Sequence, residues 1–164
     1  MTINIKYLKR VGNNIPIRDG RKKITIETPL LVTPFGIEEN GKRLNILVNI
    51  DTNSDDVGLK EFSQFILDLD EKNKLEGQKR LTGFNYSGPI RKNGKYIDLK
   101  LKIPQKYNRH CIEIYNNKGD EIPSTYIKPK SKIILEIEMG HIWIMENDNR
   151  YGSFWNVNKI ILLE

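Results

Sequence analysis

Apolar and polar side chains alternate along most of this chain, the spacing expected of strands with one buried face. Ile3, Ile5 and Tyr7 interleave with Asn4 and Lys6. Ile24, Ile26, Thr28, Leu30 and Val32 share one parity, with Pro29 and Pro34 as interruptions. Proline inside a strand belongs at an edge or a bulge, so this segment is expected to bend there. Leu44, Ile46, Val48 and Ile50 repeat with a period of two. Further on, Ile97, Leu99, Leu101 and Ile103 point one way, and Tyr96, Asp98, Lys100 and Lys102 the other. Ile112 and Ile114 mark a short strand, and Ile133, Leu135, Ile137 and Met139 a long one. Gly140 then marks a bulge or sharp bend, which turns Ile142 and Ile144 inward and Trp143 outward. In the last strand Trp155, Val157, Ile161 and Leu163 are expected on one side.

One segment changes period. Leu59, Phe62, Phe65, Ile66, Leu69 and Leu75 recur at helical spacing, behind Ser54, Asp55 and Asp56 as cap and first-turn residues. Gly77 is read as its end, giving an amphipathic helix of about five turns packed against a sheet. Turn residues punctuate the rest, and Asn93-Gly94 between two strand-like runs is a strong hairpin signal. Many short strands with glycine at the corners suit a small curved barrel. The expected fold is therefore mainly β: an OB-like antiparallel barrel with one amphipathic helix inserted between strands. It is read as one domain over residues 1–164. A two-sheet sandwich has the same periodicity and stays open at this point.

Composition removes several alternatives. The chain has 164 residues and one cysteine, Cys111, so no disulfide can form within it. One cysteine with His110 and His141 cannot build a thiolate zinc site, and no cofactor is expected. The longest apolar runs are about four residues, too short to span a bilayer. Residues 1–10 alternate and lack a signal-peptide core, which points to a soluble, intracellular, thiol-reduced protein.

Charge is uneven. The net value is +6, but residues 77–133 alone carry 13 basic and four acidic side chains. A concentrated positive field attracts polyanions. Lysines on exposed strand faces also keep β proteins soluble and blunt their edges, which is the plainer explanation. Aromatics interleave with these cations, and single-stranded nucleic acid offers both a charged backbone and unstacked bases. Cations hold the first, and flat side chains stack on the second at roughly 1–3 kcal/mol per base. The candidate contacts are Arg91, Lys92, Lys95, Tyr96, Lys100, Lys102, Lys106, Arg109 and Trp143. Phe84 and Tyr86 are read as core.

Catalysis has little support. No phosphate-binding glycine loop or nucleophile elbow occurs. His110 and Cys111 are neighbours, and neighbours on a strand face opposite ways, so Cys111 is read as a small buried apolar residue. Asp51, Asp55 and Asp56 precede the helix and are explained as capping charges. Residues 56–76 hold six acids against three bases, a poor composition for a helix entering a duplex groove. No helix has a cationic polar face suited to a membrane surface.

Two stretches carry a resemblance. They are Glu27-Thr28-Pro29-Leu30-Leu31-Val32-Thr33-Pro34-Phe35-Gly36-Ile37, and Gly140-His141-Ile142-Trp143-Ile144 followed by Tyr151-Gly152-Ser153-Phe154-Trp155-Asn156-Val157. With the helix between them, this sequence resembles the OB-fold single-stranded-DNA-binding proteins of large DNA viruses, related to the replication protein of T-odd phages. The resemblance implies a non-enzymatic protein of replication and recombination. Its implied setting is the host cytoplasm (a viral factory) or nucleus, with viral replication proteins as partners. The phage relatives end in an acidic, disordered tail that recruits those partners; Leu162-Leu163-Glu164 does not match it, so that role is not carried over.

Two readings result. The first is a non-sequence-specific single-stranded-DNA-binding protein; the residue types admit RNA as well, and self-association is open. The second is a structural or adaptor protein of a large DNA virus whose β domain binds another protein.

Overall fold

The structure, a computed structural model, describes residues 3–163. Met1 and Thr2, at the start of the first alternation, and Glu164 lie outside the described residues. In chain order the strands are β1 (Ile5–Tyr7), β2 (Asn14–Asp19), β3 (Ile24–Glu27), β4 (Leu31–Thr33), β5 (Ile37–Asn40) and β6 (Arg43–Asp51). The helix α1 (Val57–Arg80) follows, then β7 (Asn85–Ser87), β8 (Ile90–Asn93), β9 (Tyr96–Ile103), β10 (Gln105–Lys106), β11 (Arg109–His110) and β12 (Glu113–Asn116). The chain finishes with β13 (Ser131–Met139), β14 (His141–Met145), β15 (Arg150–Ser153) and β16 (Trp155–Leu163).

Pairing closes a circuit. β4 pairs with β6, β6 with β9, β9 with β16, β16 with β13, and β13 with β4. β3 continues the β4 side along β13. This is a closed five-strand OB-like barrel, so the sandwich alternative falls away. Most pairings are antiparallel, but β9–β16, β12–β16 and β7–β15 are parallel. A second sheet, in the order β1-β2-β14-β15-β7, adjoins the barrel because β13 runs into β14 at Gly140 and β15 runs into β16 at Phe154.

The alternating residues fill both interiors. Ile46, Val48, Ile50, Ile97, Leu99, Leu101, Ile133, Leu135 and Ile137 are buried inside the barrel strands. Each such side chain contributes about 1.5–3 kcal/mol on burial. One face of the second sheet, with Ile15, Ile17, Ile142, Ile144 and Tyr151, is buried as well. Gly140 behaves as expected, with Ile142 and Ile144 inward and Trp143 on the opposite face. The Asn93-Gly94 hairpin also forms, with Gly94 at φ 62°.

Two parities shift. Pro29 separates β3 from β4, so Leu31 and Thr33 are buried while Leu30 and Val32 are exposed. Thr28 bridges the gap: its N–H donates to the Leu135 carbonyl at 2.8 Å, and its hydroxyl accepts from the Leu135 N–H at 3.0 Å. In β16 a bulge leaves Asn158 as the extra residue between the partners of Glu136 and Ile137. The inward series therefore passes from Val157 to Ile160, and Ile161 and Leu163 are only half-buried, not aligned with Trp155.

The helix is longer than its pattern implied. Asp56 caps it by accepting from the Leu59 N–H at 2.9 Å. Phe62, Ile66 and Leu69 are buried, whereas Leu75 is exposed. Gly77 does not end the helix; it is buried within it, against the ring of Tyr151. The added last turn brings Lys79 and Arg80, favourable charges at a helix C-terminus. Arg80 donates to the carbonyl of Leu8 at 2.6 Å, and Tyr7 donates to Asn73 at 2.6 Å, fastening the helix to the N-terminal segment. With these residues the helix carries five acids and five bases, so its charge is balanced. Among the described residues no helix is long and apolar enough to cross a membrane.

Gly77→Ala tests the helix–sheet contact. A Cβ there would lie 2.1 Å from Cε2 of the fully buried Tyr151. Alanine favours a helix by about 1 kcal/mol over glycine, but overpacking costs about 1–3 kcal/mol. The expected outcome is a net loss of stability, read as a lower midpoint in urea at unchanged slope.

Candidate nucleic-acid interface

The outer faces of the two sheets meet in an angle. On the barrel side, β6 turns Arg43, Asn45 and Leu47 outward, and β9 turns Asp98, Lys100 and Lys102 outward. On the other side, β14 and β15 present Trp143, Met145, Arg150 and, at the corner, Phe154. Between them lies an open groove of about 1040 Å³, completed by the segment Ser87–Arg91 and by Glu38 and Asn40 of β5. It is lined by five cations, Arg43, Arg91, Lys100, Lys102 and Arg150, against two carboxylates, Glu38 and Asp98.

Its aromatic wall is held by backbone. Trp143 is paired with Gly152 on β15, and a Cβ at 152 would lie 2.5 Å from the indole and 2.0 Å from the Ser87 carbonyl oxygen. Only glycine lets the indole lie flat across that strand. Arg150 sits 5.9 Å from the same ring, and Lys102 places its Nζ 4.0 Å from the centre of the Phe154 ring. These are cation–π distances, so the flat surfaces and positive charges share the same positions.

The floor is tied to the helix. Tyr86 donates to Asp70 Oδ1 at 2.6 Å, and with that proton committed, Ser153 donates to the Tyr86 oxygen at 2.7 Å. Tyr151 donates to the Lys74 carbonyl at 2.6 Å. Burial raises the Asp70 carboxyl above the usual range, against the opposing pull of the Tyr86 hydrogen bond. Burial, then the Asp70 charge, pushes the Tyr86 hydroxyl up. Phe84 and Tyr86 are thus partly buried packing residues, as their pattern implied.

On the barrel side Asn49 donates to Asp98 at 2.5 Å, which binds this carboxylate into the floor. Lys102 is lowered from its ordinary value by burial, then by Arg43 and Lys100 beside it. Three crowded cations repel one another until an anion arrives.

Of the nine candidate contacts, Arg91, Lys100, Lys102 and Trp143 line the groove. Tyr96 shares the outer face of β9 but lies at its far end, across from Asp51 and Asn93, with Lys95 5.2 Å from its ring. Lys92 stands in the same β8–β9 hairpin, and Lys106 and Arg109 in the β10–β11 hairpin beyond Ile103, all outside the groove. The Tyr107 ring at the tip of that second hairpin is 89% exposed. Cys111 is exposed, not buried, because it follows this short hairpin instead of sitting inside a strand. His110 Nδ1 is buried without a hydrogen-bond partner. Among the described residues no three His, Cys, Asp or Glu side chains stand together as a metal site.

Arg43, Arg150 and Phe154 line the groove without being among the nine candidates. Arg43 was legible from parity, since it precedes Asn45 and Leu47 on the outward series. Phe154 was not, because only the parallel β9–β16 pairing sets it beside Lys102, and Arg150 enters on the β14–β15 hairpin, opposite Met145.

The chain matches no known protein-family model, and none of the curated proteins matches it in sequence. Its fold does match solved structures. One is gp2.5, a single-stranded DNA binding protein encoded by bacteriophage T7, at 12% identity and TM-score 0.62, covering 87% of each chain. Another is a C-terminal truncation of the single-stranded DNA-binding protein from bacteriophage Enc34, at 12% identity and TM-score 0.54, covering 98% of this chain and 95% of that one. The Enc34 protein in complex with ssDNA matches at 13% identity and TM-score 0.54, covering 96% and 94%. The chain therefore has the fold of phage single-stranded-DNA-binding proteins.

Gly152→Ala is expected to push the indole off β15. Trp155 is buried in the barrel and Trp143 is the other of two tryptophans, so the change is read as a red shift of Trp143 emission.

Proposed function

We propose that this protein binds single-stranded DNA without sequence preference, in viral DNA replication or recombination. The observation that carries this reading is one groove lined by five cations and by the half-buried rings of Trp143 and Phe154. In OB barrels the face of the second and third strands, with the loops after the first and fourth, takes oligonucleotides. Here those parts are β6 and β9, the β5–β6 hairpin, and the β14–β15 arm, and they are the walls of this groove. The phage proteins with this fold are single-stranded-DNA-binding proteins, one of them solved with ssDNA.

In this reading Arg43, Arg91, Lys100, Lys102 and Arg150 hold backbone phosphates, and Trp143 and Phe154 stack bases. Stacking is indifferent to base identity because every base has a flat face. Lys92, Lys95, Tyr96, Lys106 and Arg109 extend the cationic surface beyond the two ends. The role is binding, with no chemical step.

Oligo-dT is expected to quench Trp143 and leave the buried Trp155 unaffected, so Trp143→Phe removes the quench. Lys100→Ala with Lys102→Ala should weaken binding to dT and mixed-sequence strands alike. Losing two phosphate contacts should flatten the slope of log affinity against log salt by about 1.4. Unchanged affinity and slope in the double variant would remove this groove as the binding surface.

A further inference from the structure

The cationic surface continues past Phe154. On the outer face of the second sheet His141 stands edge-on to Phe154, ring centres 5.3 Å apart, while Lys102 approaches the same phenyl ring. Arg18 of β2 donates from Nη1 to the carbonyls of Gly140 at 2.7 Å and Ile17 at 2.8 Å. Those two bonds orient the guanidinium, and among the described residues its Nε and Nη2 have no acceptor. Lys23 lies across Gly140: a Cβ at 140 would come within 3.3 Å of its Cδ and Cε. The glycine that bends the strand thus also admits a lysine over the bend.

The charged groups facing His141 are Lys23 from the loop before β3, Lys102 from β9 and Arg18 from β2. Lys23 is itself paired with Glu138 of β13, Nζ to carboxylate 4.0 Å. Burial, then these three cations, hold the imidazole below its ordinary value, so it is neutral in the free protein at neutral pH. With Lys23 paired to Glu138, Arg18 and Lys102 still leave an excess of positive charge at this corner that an anion would neutralise.

We propose that the Gly140 corner is a second phosphate site, formed by Arg18, Lys23 and Lys102 around His141, which takes a backbone phosphate of a strand leaving the groove. It rests on the single-strand-binding reading above. A phosphate placed among these groups reverses the field at the imidazole, and the neutral ring gains a proton. His141 then acts as a fourth cation, and binding strengthens as pH falls through the range between its free and bound values.

The test uses dT15, because thymine gains no proton between pH 7.5 and 5.5. The chain has two histidines, so two imidazole signals appear in a proton spectrum, assigned with His110→Gln. The expected result is that His141 titrates at higher pH with dT15 than without it. Affinity should rise by at least about threefold from pH 7.5 to 5.5. His141→Gln should abolish that rise, and Lys23→Ala should reduce affinity at both values. A rise that persists in His141→Gln, or a His141 titration indifferent to dT15, overturns the site while leaving the groove intact. Absence of dT15 binding at either pH overturns the single-strand reading and this site with it.

Discussion

At Gly140 and at Phe154 a strand of one sheet runs directly into a strand of the other, and those two corners set the angle of the groove. Each strand has one face committed to an apolar interior: the barrel core for β6 and β9, and the helix side for β14 and β15. What remains outward is polar, cationic or aromatic. Two continuous strands passing around a corner bring those outward faces into opposition at a fixed angle. The backbone link is covalent, so the angle does not depend on side-chain packing across an interface.

The walls are then made rigid by different means. On the barrel side, Asp98 is bound by Asn49 and the strands are fully paired. On the arm, Tyr86 and Tyr151 carry hydrogen bonds down to Asp70 and the Lys74 carbonyl, so α1 acts as a brace under β15. Crowding Arg43, Lys100 and Lys102 on such a frame stores repulsion that a polyanion relieves, and the free fold supports it without acid partners beside Lys102.

Strand spacing in the sequence made the barrel interior legible: Ile97 to Ile103 and Ile133 to Met139 are buried as their alternation implied. The inward Ile142 and outward Trp143 followed from one glycine. What alternation could not show was where parity resets. Pro29 and the Asn158 bulge each insert one residue, and one residue exchanges the faces of everything beyond it. Gly77 misled for a related reason, because a glycine that ends a helix and one that admits a neighbouring ring are the same letter. Of the interface, the lysines of β9 were legible because they share a strand. Phe154 reaches them through parallel pairing between segments far apart in the chain, and no local pattern encodes that. The basic hairpins holding Lys95 and Lys106 looked equivalent to the groove because charge density carries no direction.

The position of β16 bears on how the molecule is made. It is the staple of the barrel, hydrogen-bonded in parallel to β9 and in antiparallel to β13. A nascent chain extended only through β15 has every other barrel strand, yet the long ladder on β13 and the short parallel one on β9 stand open. Such edges invite pairing with a neighbouring polypeptide. Ring closure waits for the last strand to be released, so assembly is governed by a long-range contact that local hairpins cannot substitute.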